Sequence, residues 1–178
     1  SHLNEALLTQ LGLKSLARQG WVDVGVPQPE SVAAHSWGVA LLAIHLLPQH
    51  LDMAKALSFA VLHDLPEVTT GDFTPRHQIS KQEKVQLERS ALTNLLQDTP
   101  RAATITALFE DYLSQDCEES QFIHQLDRLD MALQAVYYRR TSNADLRVFI
   151  DSAACDIYDP NLKQIVAWCR NQIEGQTT

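Results

Sequence analysis

Leu62-His63-Asp64-Leu65-Pro66-Glu67-Val68-Thr69-Thr70-Gly71-Asp72 places four chemically active side chains, His63, Asp64, Glu67 and Asp72, within ten residues. The run that leads into it, Met53 to Leu62, is apolar and helix-like. A helix reaching Asp64 sets Leu57, Val61 and Asp64 on one face, with Ala56, Ala60 and His63 on the adjoining one. A carboxylate on a core-facing stripe cannot stay charged and unpaired, so it needs a cation, a metal or several donors. Pro66 then disturbs the helix, and Gly71 marks a turn or a close backbone approach. Glu67 and Asp72 are expected in the rim just past the helix. Such a cluster asks for partners from elsewhere in the chain.

Upstream, Leu3 to Ala17 carries an imperfect helical pattern, ended by Arg18-Gln19-Gly20-Trp21 with Gly20 as C-cap. Residues 22–30, with Gly25, Pro27 and Pro29, read as an irregular crossing segment. Ser31 is a good N-cap for a helix to about Leu47, where Pro48 stops it. Val32, His35, Val39, Leu42 and Leu46 share one stripe of that helix, so His35 sits in the core-facing row.

Downstream, a loop runs from Pro66 through Arg76 and His77. Ser80-Lys81-Gln82-Glu83 matches a capping box and opens a helix to about Gln97. Pro100 suits the first turn of the next, to about Leu113. A long helical pattern covers about Glu118 to Arg140, with Phe122, Leu126, Leu129, Leu133 and Val136 as its main stripe. Ile123, Asp127, Asp130 and Gln134 form the row beside it, and two carboxylates bordering an apolar stripe are unusual. The last helices are roughly Asp145 to Ala154 and Pro160 to Ile173. No segment shows β alternation, a repeat or a linker. The reading is all-α, a single domain over residues 1–178, with Ser1-His2 expected to be a tag remnant.

The 178-residue length suits one full-sized core. A formal charge of −8 argues against a nucleic-acid polymer as partner, which needs a basic surface. It leaves room for a small anion held in a locally positive pocket. No apolar run approaches the roughly 18 to 20 residues that span a bilayer, so no membrane partner is expected. Three scattered cysteines, Cys117, Cys155 and Cys169, form neither a disulfide framework nor a zinc pattern. Free thiols in the cytoplasm are the expectation.

His35, His63, Asp64 and Asp127 come from three different helical segments, each on or beside a core-facing stripe. Two imidazoles and two carboxylates make a mixed N/O set suited to a first-row divalent metal. With this order, the sequence resembles the HD-domain metal-dependent phosphohydrolases, and more narrowly their 5'-deoxynucleotidase branch. The stretches that carry the resemblance are Arg18 to Trp21, Pro29 to Ser36, His63 to Asp72, and Gln125 to Asp130 followed by Gln134-Ala135. The resemblance implies an HD-domain helical bundle and metal ligation by His35, His63, Asp64 and Asp127. The ion would be Mn, Co, Zn, Fe, Ni or Mg. It implies a catalytic role for Glu67, catalytic or substrate roles for Asp72, and substrate contacts for Arg18 and Trp21. Thr74-Pro75 would shape the mouth. It further implies a nucleoside 5'-monophosphate as substrate and a homodimer.

On this reading Glu67 either positions the attacking water or protonates the leaving 5'-oxygen. Arg18 clamps the phosphate with its planar fork, and Trp21 packs on sugar or base. Asp130 is expected to support the ligands or pair helices, and His124 to be a surface or supporting residue. Two rival readings stay open. One is a dinuclear HD phosphodiesterase or oxygenase, which would need further histidines than His77 and His124. The other is a non-catalytic nucleotide-binding module.

Overall fold

The computed structural model describes residues 2–175. Ser1, and residues 176–178 at the far end of the expected domain, lie outside the described residues. Among the described residues there is no strand, only an isolated antiparallel bridge between Ala17 and Ser31. The helices are α1 (His2–Leu11), α2 (Gln19–Asp23), α3 (Val32–Leu46), α4 (Met53–Leu62), α5 (Glu67–Thr70), α6 (Lys81–Leu95), α7 (Ala102–Ser114), α8 (Glu118–Tyr138), α9 (Arg147–Asp156) and α10 (Pro160–Glu174). The all-α expectation holds.

Helix starts follow local chemistry. Ser31 Oγ accepts from Ala34 N at 3.0 Å, and Asp52 Oδ1 accepts from Lys55 N at 3.1 Å. The Ser80–Glu83 capping box closes in both directions, at 3.1 and 2.8 Å. The apolar stripe of α8 forms the middle of the main core: α3 and α4 pack on one side of it, α9 and α10 on the other. Val39, Phe59, Ile123, Leu126 and Leu129 are buried there. A smaller cluster, Leu65, Leu92, Leu96 and Phe109, joins α6 and α7 to the turn after α4.

Three local expectations are corrected. The helix expected over 3–17 stops at Leu11 and tightens into a 3₁₀ turn, Gly12–Lys14. A Cβ on Gly12 would stand 3.2 Å from Val68 Cγ2, so this turn is pressed against α5. Gly20 is not a C-cap but lies inside α2; the left-handed residue is Gly25, at φ +80°. Pro66 does not merely end a helix. It stands just before α5, a position compatible with its fixed φ, and α5 turns Glu67 inward rather than into the rim. Glu67 is 2% exposed.

Candidate metal centre and cleft

His35 lies on α3, His63 and Asp64 follow α4, and Asp127 lies on α8. Packing of these helices brings the four side chains together. His35 Nε2 is 2.9 Å from Asp127 Oδ1 and 3.6 Å from Asp64 Oδ2. His63 Nε2 is 3.2 Å from Asp64 Oδ2 and 4.0 Å from Asp127 Oδ1. The two Nε2 atoms face each other at 3.4 Å. The imidazoles are buried, while Asp64 and Asp127 keep an open edge toward a cleft.

The other ring nitrogens are already committed. His63 Nδ1–H donates to Ala60 O at 2.9 Å, and His35 Nδ1 meets Asp130 Oδ2 at 2.7 Å. Both Nε2 atoms are therefore turned inward on two carboxylates, and the centre of the cluster requires positive charge, from a proton or a metal ion. Burial and the Arg18 charge push the His35 pKa down, yet hydrogen bonds to Asp127 and Asp130 raise it to about 10. Burial opposes ionisation of Asp64 and Asp127, but the neighbouring imidazoles hold both below the usual carboxylate range.

The donor set fits a divalent ion. Ligands sharing an ion at about 2.1 Å lie at most about 4.2 Å apart; the His35, His63 and Asp64 contacts run from 3.2 to 3.6 Å, and Asp127 Oδ1 lies 2.9 and 4.0 Å from the two imidazoles. The donor atoms of His35, His63 and Asp64 all lie within 4.8 Å of one another.

Above the cluster opens a cleft of about 550 Å³, a size typical of small-molecule sites. Arg18 stands at its edge, with NH1 3.9 Å from Asp64 Oδ2 and 3.8 Å from Asp72 Oδ1. Asp72 Oδ2 also accepts Gln19 N–H at 2.8 Å, which ties the end of α5 to the start of α2. A family model described as HD domain matches residues 12–164.

The chain belongs to the HD-domain family. It is 34% identical over 159 residues to the 5'-deoxynucleotidase HDDC2 of Mus musculus, covering 87% of this chain and 80% of that one. The 5'-deoxynucleotidase HDDC2 of Dictyostelium discoideum is also 34% identical, over 171 residues, covering 86% of this chain and 88% of that one. The crystal structure of the PH0347 protein from Pyrococcus horikoshii OT3 superposes with a TM-score of 0.77 at 28% identity, covering 94% and 98% of the two chains.

In this HD domain Glu67 is the buried acid of the cleft. Its Oε2 has no hydrogen-bond partner among the described residues. Burial, then the charges of Asp64 and Asp72, raise its pKa well above the ordinary value, while Lys84 and Arg18 pull the other way. Lys84 Nζ lies 3.8 Å from Glu67 Oε1 and 3.4 Å from Glu88 Oε1.

Trp21 is placed differently from the expectation of a ring laid on substrate. It is 1% exposed, with its ring against Phe149 and Tyr138 and its indole N–H on Glu30 Oε1. Its apolar surface is already filled, so it backs the wall, and Phe149 and Val148 of α9 stand beside it in the lining. His124 is half-buried, stacked on Tyr112 with centroids 4.0 Å apart, and donates to Tyr112 O. It joins α8 to α7.

Sequence reasoning missed Lys84, Met131 and the α9 wall. Lys84 lies four residues past an N-cap and four before Glu88, which reads as a surface pair. The α9 residues carry no sequence signal toward the site, since only the packing of α9 on α8 brings them there.

Proposed function

We propose that this HD domain is a metal-dependent phosphomonoester hydrolase that converts deoxynucleoside 5'-monophosphates to nucleoside and phosphate. One observation carries the reading: four N/O donors from three helical segments converge at the floor of a nucleotide-sized cleft, with Arg18 beside them. The similarity to curated 5'-deoxynucleotidases supports the substrate class.

His35, His63, Asp64 and Asp127 would hold the ion. When bound, a divalent ion supplies charge withdrawal from the phosphoryl group and a water acidified toward neutral pH. Arg18 is placed to bind phosphate oxygens through its planar fork, and Asp72 orients Arg18 from behind. Glu67, whose pKa is raised by burial and the neighbouring Asp64 and Asp72 charges, is placed to donate a proton to the leaving 5'-oxygen. The apolar wall of Met131, Val148 and Phe149 takes the nucleoside end and limits water there. Free thiols at Cys117, Cys155 and Cys169 suit a reducing cytoplasm.

The test is phosphate release from a panel of ribo- and deoxynucleoside 5'-monophosphates, each with Mn²⁺, Co²⁺, Zn²⁺ or Mg²⁺. Release from deoxynucleotides with at least one ion is expected. A folded, metal-loaded protein that binds these nucleotides without releasing phosphate would favour the non-catalytic module instead.

The active unit is proposed to be a homodimer. Helix α3 carries no Asp, Glu, Lys or Arg and is apolar all round, yet Trp37 and Ile44 are 67% and 58% exposed. Trp37→Glu with Ile44→Glu should give a monomer in sedimentation; an unchanged mass would remove this face from the interface.

A further inference from the structure

Behind the ligand His35 lies a device that the metal-binding set does not include. Asp130 Oδ2 sits 2.7 Å from His35 Nδ1, one turn of α8 beyond the ligand Asp127. His35 is fully buried, so no solvent competes for that nitrogen. The carboxylate reaches it only because of a gap in α3. A Cβ built on Gly38, one turn past His35, would fall 2.1 Å from Asp130 Oδ1 and 3.0 Å from its Cγ. A side chain there would force the Asp130 carboxylate aside. Gly38 has no turn or left-handed backbone to explain it, since it lies in mid-helix, where glycine is a poorer helix former than alanine.

We infer that Asp130 and Gly38 form a paired positioning device: Gly38 opens α3 for the Asp130 carboxylate, which fixes the tautomer and ring orientation of His35 so that Nε2 faces the ion. A ligating imidazole held through its other nitrogen by a carboxylate is a better-oriented and more basic ligand. The inference rests on the reading that an ion binds between His35, His63, Asp64 and Asp127. A rival use of the same atoms is a second ion on Glu30, His35 and Asp130, whose donor atoms also lie within 4.8 Å of one another.

Co²⁺ binding to the purified full chain tests this without recourse to turnover. Affinity is read by competition with a chromogenic chelator, site geometry by the visible spectrum of the bound ion, and folding by circular dichroism. Wild type should bind one Co²⁺, and His63→Ala should abolish binding. Asp130→Asn and Gly38→Ala should stay folded, bind about 10- to 100-fold more weakly and change the spectrum. Folded variants that both keep wild-type affinity and spectrum overturn the inference while leaving the ion site intact. A wild type that binds no Co²⁺ overturns the underlying reading, and a ratio of two that falls to one in Asp130→Asn overturns the hydrogen-bond role in favour of the second ion. Should a variant fail to fold, the ¹⁵N spectrum of Zn²⁺-loaded wild type decides. A hydrogen-bonded Nδ1–H on His35 supports the device, and an unprotonated Nδ1 overturns it.

Discussion

Glu67 and His63 are only four residues apart, yet removing their side chains should have different consequences. Glu67 touches none of the inward-facing ring nitrogens, and its free Oε2 belongs to the cleft. Glu67→Gln keeps the shape and removes the transferable proton. Metal content should survive while turnover falls by roughly 10²-fold or more, checked by metal analysis beside phosphate release; unchanged turnover would take Glu67 out of the chemistry. His63→Ala deletes a donor 3.2 Å from Asp64 and leaves that carboxylate facing a hole. Metal and activity should vanish together, and the melting temperature should drop, because metal binding couples to folding. Trp21 belongs to a third kind. With its ring enclosed by Phe149 and Tyr138, Trp21→Ala should act through stability, by about 3 to 5 kcal/mol in denaturant unfolding.

Helix α6 joins the fold to the cleft. Its Ser80 cap fixes where the helix begins, and Lys84 follows one turn later against Glu67 and Glu88. Ser80→Ala should lower stability by about 1 kcal/mol in chemical denaturation. Lys84→Met should act on the pH profile. Lys84 pulls the Glu67 pKa downward against burial and the Asp64 and Asp72 charges, so its removal lets that pKa rise. If Glu67 works as the protonated acid, the basic limb of kcat moves to higher pH. A shift of the acidic limb instead would identify Glu67 as a base. Helices α3 and α8 form the corresponding pair on the other side of the cluster, each adding one of its side chains, His35 and Asp127, and each containing one half of the His35–Asp130 contact.

At the scale of the whole molecule, three helical segments that meet around one charged centre tie the bundle together, and chelation tests that tie. An ion at 100 times its Kd stabilises the folded state by about 2.7 kcal/mol, and chelation should remove that increment from the unfolding free energy. In the metal-free protein the His35 pKa is raised from its ordinary value to about 10. The stability it contributes is complete below the unfolded value of about 6.5 and is lost as pH rises through about 10. Metal must displace that proton, so the stabilisation given by a fixed ion concentration should grow with pH over this window; a pH-independent increment would contradict the displacement. The sequence alone determined the all-α class, the longer helices α3, α4 and α6 to α10, and the Ser31 and Ser80 caps, and it marked His35, His63, Asp64, Asp127, Glu67, Asp72 and Arg18 as candidates. Apolar periodicity, capping chemistry and the oddity of acids on core-facing stripes are all properties of neighbours along the chain. It did not place Glu67 inside, fill the surface of Trp21, or bring Lys84 and the α9 wall to the cleft. Those depend on which helix faces pack together, and contacts between residues such as Glu67 and Lys84 arise only once the apolar stripes have closed on one another.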